Sequence, residues 1–172
     1  SSALYSRTQV FHSMQSATGT LDFENARPAK RNNVELYRDE WAVIRPNELE
    51  ITWFYFPSSS SKFINTADIK GVYYRKQAIK RDLFVVKSWG MSFSPCWWAC
   101  DIGRDMRGDS DPLTFYNVVV DCGEKTYKGF TNCNIHAFLA ALRPYCPPGT
   151  LFHNELPFGS SKPSEERKVP LN

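Results

Sequence analysis

The sequence is poor in the residues that build catalytic and metal centres. It contains three histidines, His12, His136 and His153, and none of them stands at ligand spacing to another or to a cysteine pair. Structural zinc needs four nitrogen or sulfur ligands, commonly as two close pairs, and only one candidate pair, Cys96 with Cys100, is present. No segment matches a phosphate-binding loop or a nucleophile elbow. We therefore expect no metal, no cofactor, no catalytic residue and no enzymatic activity.

Long apolar runs and a strong net charge are also lacking. No stretch approaches the roughly 20 apolar residues of a membrane-spanning helix, and residues 1–11 lack the basic and apolar regions of a secretory signal. A net charge of +3 does not indicate a nucleic-acid-binding protein. Five irregularly spaced cysteines form no disulfide framework. We expect a cytoplasmic protein, either free or peripheral to a membrane or the cytoskeleton, and, because residue 1 is Ser, a larger parent protein.

Aromatic and turn-forming residues are, by contrast, plentiful. Phe, Trp and Tyr make up 15% of the chain, and 9 Gly and 11 Pro punctuate it. This composition favours strands and turns over a helical bundle, and the length suits one domain. Apolar residues alternate with period two in segments that we interpret as six or seven short strands: 40–45, 48–56, 63–76, 82–93, 96–102, 113–121 and 125–130.

Two connections and one helix have clear local signals. In the turn from Arg45 to Glu48, Pro46 suits the second position and Asn47 tolerates the third, which predicts a hairpin. Cys122-Gly123-Glu124 predicts a second hairpin connection. A helix is predicted at about 134–143, with Asn134 or Asn132 as its cap and Pro144 after its end. Its apolar residues fall at i, i+3, i+4 and i+7, on one stripe: Ile135, Phe138, Leu139 and Leu142.

The ends of the chain differ from its middle. Residues 1–33 are polar without sustained periodicity, and residues 147–172 are rich in Pro, Ser and charge. We predict an N-terminal arm over 1–33, a domain over 34–146 and a C-terminal tail over 147–172. Apolar residues in both ends are candidates for docking on the domain: Leu4, Tyr5, Val10, Phe11, Leu151, Phe152, Leu156 and Phe158.

Seven short antiparallel strands followed by one amphipathic helix resemble the pleckstrin-homology-like (PH-like) superfold over residues 34–146. The segment VVVDCGEKTYKGFTNCNIHAFLAALRP (118–144) is similar to the last hairpin and capping helix of bacterial-type PH and GRAM-like domains, and INTADIKGVYYRK (64–76) to the third strand. The resemblance implies a bent antiparallel half-barrel of seven strands, whose open end is capped by the helix.

The resemblance implies a non-enzymatic interaction module. Such domains bind phosphoinositide head groups or other proteins. The basic pattern of the head-group site does not occur in EWAVIRPNELEIT (40–52), which has one Arg and three Glu. We therefore predict protein binding or scaffolding as the leading function.

Peripheral binding to an anionic membrane is the alternative to protein binding. It would use the strongest charge feature of the chain, which can equally serve a protein partner or be a solvated loop. We call these residues the basic cluster: Lys70, Arg75, Lys76, Lys80, Arg81 and Lys87. A weaker alternative is a thiol-dependent enzyme in which Cys133, at the helix start, is activated by His136.

The segment SPCWWACDI (94–102) combines two tryptophans with two cysteines. As a strand, it places Phe93, Trp97 and Ala99 on one face and Cys96, Trp98, Cys100 and Ile102 on the other. Four residues of strand separate the cysteines by about 13 Å, beyond the roughly 7 Å limit of a disulfide, so they cannot pair. One tryptophan is expected in the core and the other, with a slight preference for Trp98, as an exposed anchor for a partner.

Overall fold

A computed structural model describes residues 34–82, 84–91, 93–104, 106–107 and 114–159. The predicted N-terminal arm and residues 160–172 of the predicted tail lie outside this range. Within it, the chain forms ten strands in two sheets and one helix longer than a single turn. The predicted class, mainly β with one C-terminal helix, is confirmed.

The first sheet is an antiparallel meander of four strands in sequence order. Its strands are β1 (Tyr37–Arg38), β2 (Ala42–Arg45), β3 (Glu48–Ile51) and β4 (Lys62–Asn65). The predicted hairpin is present: Arg45 pairs with Glu48, and Asn47 takes the positive φ of 65° that its small polar side chain tolerates. The strand predicted to reach residue 56 ends at Ile51, because Trp53 adopts a φ of 54° and turns the chain.

The second sheet has six strands in the order β10-β5-β8-β9-β7-β6. They are β5 (Gly71–Lys76), β6 (Gly90–Met91), β7 (Cys96–Trp98), β8 (Tyr116–Asp121), β9 (Tyr127–Asn132) and β10 (Leu151–His153). The centre of the sheet, β5-β8-β9, is antiparallel, whereas β10 joins β5 and β7 joins β9 in parallel. The seven-stranded, wholly antiparallel arrangement is therefore not confirmed.

Two predicted strands are interrupted. Between β4 and β5 the chain forms a 3₁₀ turn, Thr66–Asp68, which the Asn65 side chain caps by accepting from the Ala67 amide at 3.0 Å. Among the described residues of the predicted strand 82–93, Gly90–Met91 alone is extended and paired; a single helical turn, α1 (Ile79–Asp82), lies before it. Side-chain hydrogen bonds to the backbone compete locally with the sheet ladder. A pattern of apolar residues does not predict this competition.

The main core lies between the two sheets and the helix α2 (Ile135–Leu142). Every residue of the predicted apolar stripe is buried, and the Asn134 side chain accepts from the Ala137 amide at 3.2 Å, as predicted for its cap. Phe138 joins the sheets: its ring lies 5.6 Å from Tyr37 of β1 and 5.6 Å from Phe130 of β9. The helix therefore seals the space between the sheets with aromatic contacts.

The opposite face of the second sheet, which we call the outer face, is also buried. Its apolar half forms a second core around Val119 of β8, together with Cys96, Trp98, Val86 and Leu156. The described residues before β6 and after β7, among them Val86 and Arg104, supply the cover together with residues 154–159. Residues 147–159, predicted as part of the tail, thus include a strand of the sheet and a buried leucine.

The polar half of the outer face is a network of buried side chains. Asp101 receives two hydrogen bonds from Arg107, at 2.6 and 2.8 Å, and one from the Thr131 hydroxyl of β9. Gln77 donates to Thr131 at 3.2 Å and to Asn117 of β8 at 3.0 Å. The network continues from Asn117 to Asp82 and from Asp82 to Arg75. Buried charges persist only when they are paired, and here the pairs attach the covering segment to the sheet.

Replacing Asn134 with Ala should remove the helix cap, because the Ala137 amide then loses its acceptor. We expect the free energy of unfolding to fall by about 1 kcal/mol in urea titrations. His136→Ala, an exposed change in the same helix, is the control and should change it by less than about 0.5 kcal/mol. Equal losses in the two variants would show that the cap contributes nothing of its own.

Candidate functional site

The described side chains of the predicted basic cluster do not all lie on one surface patch. Lys70 precedes β5 and Lys76 ends it, so about 20 Å of strand separates the two exposed lysines. Lys70 instead lines a groove of about 340 Å³ with Cys122 and Thr150. Lys87 is exposed, and the side chain of Lys80 lies outside the described part of the structure. Lys70 therefore lies apart from Lys76 and Arg81, which are neighbours because the Arg81 guanidinium donates to the Lys76 carbonyl.

Two arginines of the cluster form ion pairs with a carboxylate of the same chain. Arg75 is 5% exposed and forms an ion pair with Asp82 at 2.6 Å. Arg81, which is exposed, pairs with the same carboxylate at 3.4 Å and donates to the Lys76 carbonyl. Arg75 points inward because it lies on the outer face of β5, which the following segment covers. It is therefore not available to a membrane surface in this structure.

The environment of Cys133 does not activate its thiol. Burial, followed by the charge of Asp39, raises the pKa of Cys133 above its ordinary value. The thiol contacts Asp39 Oδ2 at 3.8 Å, so its neighbour is an acceptor rather than a cation. A nucleophilic cysteine needs a lowered pKa, and this arrangement gives the opposite. Among the described residues no group of His, Cys, Asp and Glu side chains is suited to hold a metal ion.

The two tryptophans of CWWAC do lie on opposite faces, as predicted. Trp97 and Ala99 face the main core, and Cys96 and Trp98 face the second core. All five cysteines are free. Trp98 is fully buried, with the Arg104 guanidinium 4.9 Å from its ring centre, and a Cβ at Gly129 would collide with it. A buried ring cannot anchor a partner, so the preference for Trp98 as the exposed anchor is corrected: Trp97 is the half-buried member of the pair.

Exposed aromatic side chains gather instead where β3 ends. The loop 52–61 presents Trp53, Tyr55 and Phe56, which are 51, 42 and 65% exposed. Phe56 stacks edge-on against Trp89, with ring centres 4.8 Å apart. Phe54 of the same loop is buried and touches Tyr55 and Trp97. We call the accessible set the aromatic surface: Trp53, Tyr55, Phe56, Trp89, Met91 and Trp97.

Hydrogen bonds hold the aromatic surface in one arrangement. The indole groups of Trp89 and Trp97 both donate to the Phe54 carbonyl, at 3.3 and 2.9 Å. The amides of Phe54 and Tyr55 donate to the Ser60 carbonyl, and the Cys100 amide donates to the Trp53 carbonyl at 2.8 Å. The loop is therefore tied to itself and to the chain that leaves β7.

Met91 extends the aromatic surface along the edge of the second sheet. It is paired with Trp97 in the β6–β7 ladder, so the two side chains share a face, and it is 44% exposed. Strand β6 is the last strand at this edge. The surface thus combines aromatic rings, a thioether and a sheet edge.

Large exposed apolar groups in one place are unusual on a soluble domain and commonly mark contact surfaces. The sequence did contain a signal for this one: ITWFYF is apolar at every position but Thr52, and as a strand it would need cover on both faces. The apolar pattern predicts a strand up to residue 56, whereas in the structure the chain forms a loop after Ile51. The turn at Trp53 releases these side chains from the sheet and leaves three of them in solvent.

Comparisons with models of known protein families, with curated proteins and with solved structures gave no match. In the described part of the chain, no helix has the length and apolar character needed to cross a bilayer. The site is therefore interpreted from its own geometry.

Alkylation of Cys133 in the native protein should be slow at neutral pH, because a raised pKa leaves less thiolate than an ordinary cysteine has. Iodoacetamide labelling followed by peptide mass mapping resolves this site from the other four cysteines. The same cysteine in urea-unfolded protein is the control and should react faster. Faster labelling in the native state would contradict this prediction and would favour the hypothesis of a thiol-dependent enzyme.

Proposed function

We propose that this chain is a non-enzymatic interaction domain that binds another protein through the aromatic surface. The observation that supports the proposal most directly is the cluster of Trp53, Tyr55 and Phe56, all exposed and all on one hydrogen-bonded loop. Trp and Tyr are the residues most enriched among those that dominate binding energy, and Met is enriched at protein interfaces.

The ordered loop favours binding in a second way. Fixing flexible side chains on association costs about 0.5–1.5 kcal/mol for each. Here Trp89 and Trp97 are already held by the Phe54 carbonyl, and Phe56 is held against Trp89. These side chains are therefore largely ordered before binding. A partner that presents apolar side chains would lose little binding free energy in ordering them.

The PH-like half-barrel remains part of this proposal. Its support is a four-stranded meander, three further antiparallel strands in the order β5-β8-β9, and a capping helix whose apolar stripe faces the core. Domains of this kind serve as interaction modules in larger proteins, in keeping with scaffolding in the cytoplasm.

Binding to an anionic membrane through the basic cluster has less support. Arg75 is buried, Arg81 is paired with Asp82, and Lys70 and Lys76 lie at opposite ends of β5. Each exposed basic residue near an anionic membrane contributes about 1 kcal/mol, so the burial of Arg75 and the pairing of Arg81 reduce the attraction that the cluster can supply.

The double variant Trp53→Asn with Phe56→Asn should weaken partner binding while leaving the fold intact. Asn tolerates the positive φ at position 53, so the ring is removed without straining the turn. Losing one dominant contact costs about 2 kcal/mol, so we expect Kd for the purified partner to rise about 30-fold or more in titration calorimetry. The partner is first obtained by affinity capture with the wild-type chain.

Leu36→Asn is the matched control, because Leu36 is an exposed apolar residue just before β1, which β2 separates from the strand that leads into the loop 52–61. It should bind the partner as the wild type does. Unchanged binding by the double variant would refute the aromatic surface as the site. Flotation of the wild type with phosphatidylserine-containing vesicles, lost in the double variant, would assign the surface to membranes and overturn the proposal.

A further inference from the structure

Residues 151–159, which we call the C-terminal strap, begin as the edge strand β10 beside β5 of the second sheet. Leu151 pairs with Gly71 and His153 with Tyr73 in a parallel ladder, and the Leu151 amide donates to the Lys70 carbonyl at 3.0 Å. Only three residues of the strap pair with β5. Without them, the first half of β5 would be an unpaired sheet edge, which is a template for another strand.

After β10 the strap turns onto the outer face and fills an apolar groove. Leu156 is 5% exposed in the second core beside Val86 and Val119. The Phe158 ring lies 6.0 Å from Tyr127, whose ring lies 6.4 Å from Tyr73. We call this the outer groove, and its walls are Tyr73, Val85, Val86, Val119 and Tyr127.

The strap ends at Gly159, which packs closely against Val85. Gly159 has a φ of 77°, and a Cβ there would lie 2.6 Å from a Val85 methyl group. A side chain at this position therefore meets both backbone strain and a steric clash. The end of the strap can be loosened by changing this one residue.

Arg75, beside the groove, is incompletely satisfied by the strap. Glu155 of the strap approaches Arg75 Nη1 at 3.6 Å, which is longer than a hydrogen bond, and its carboxylate is 59% exposed. Within the described chain Arg75 Nε is buried without a partner. A buried cation with an unpaired donor attracts an acceptor, so this group favours an incoming acidic side chain.

We propose that the outer groove and the adjoining edge of β5 form a docking site for an extended peptide segment of a partner protein, and that the strap occupies this site in cis. The segment that fits runs parallel to β5 and carries an acidic residue, a leucine and, two residues beyond the leucine, an aromatic residue. The strap supplies this pattern itself as Glu155, Leu156 and Phe158. A partner segment must displace it, which sets a threshold for binding because the tethered strap competes at high effective concentration.

This site is separate from the aromatic surface, since β10 and β6 lie at opposite edges of the second sheet. The test uses the full chain carrying Leu156→Ser and Phe158→Ser, which weakens the strap and empties the groove. The probe is a fluorescein-labelled peptide of residues 147–159 with the wild-type sequence, followed by fluorescence polarisation.

We expect the variant chain to bind the peptide at least about tenfold more tightly than the wild-type chain, whose own strap competes. A peptide carrying the same two serines should not bind. A peptide with Glu155→Gln should bind several-fold more weakly, because it loses its charge opposite Arg75. No binding to a folded variant, or equal binding to the variant and the wild type, would overturn the proposal.

Should the double variant fail to fold by circular dichroism, Gly159→Ala provides the second test. It strains only the end of the strap and should raise peptide affinity above that of the wild type while retaining the near-ultraviolet spectrum. Unchanged affinity in Gly159→Ala would count against the site. A doubled mass by light scattering would show that a second copy supplies the strap, and would overturn the assignment to a partner protein.

Discussion

Burial of the central strand β8 on both faces is the constraint on which the rest of the structure depends. Val118 and Val120 face the main core and Val119 faces the second core, and all three are fully buried. An apolar strand of this kind requires two covers. The first sheet and α2 supply one of them, and the described residues before β6 and after β7, together with residues 154–159, supply the other. The fold is therefore layered around the second sheet.

The outer cover is held in place mainly by polar side chains. Asp101, Thr131, Gln77 and Asn117 form a buried network whose members satisfy one another, so their desolvation is offset. Just before Asp101, the Cys100 amide binds the carbonyl of Trp53. The cover therefore also positions the loop that presents the aromatic surface, and the packing of the second sheet is coupled to the candidate interaction site.

Local patterns predicted the elements that depend on local physics. The helix stripe, its Asn134 cap and the Pro46-Asn47 hairpin follow from spacing and from backbone preferences, and all of them are present. The alternating apolar pattern predicted strands in ITWFYF and in residues 82–93, and the structure differs at both places. The pattern carries no information about the turn at Trp53 or the hydrogen bonds of Asp82 and Ser88. The basic cluster is divided in the structure, because a strand both separates side chains and alternates their direction: Arg75 is buried, and Lys70 and Lys76 lie at opposite ends of β5.

The sequence by itself determined the mainly β class, the single capping helix, the inability of Cys96 and Cys100 to pair, and the opposite faces of Trp97 and Trp98. Only the tertiary structure decided which indole is buried, which charges are paired and which aromatic rings reach solvent. The physical reason is that the burial of a side chain depends on the segment that packs over it as much as on the side chain itself. Trp98 is buried by Arg104 and by a strap about 60 residues away along the chain, and Trp53 is exposed because no described segment lies over it.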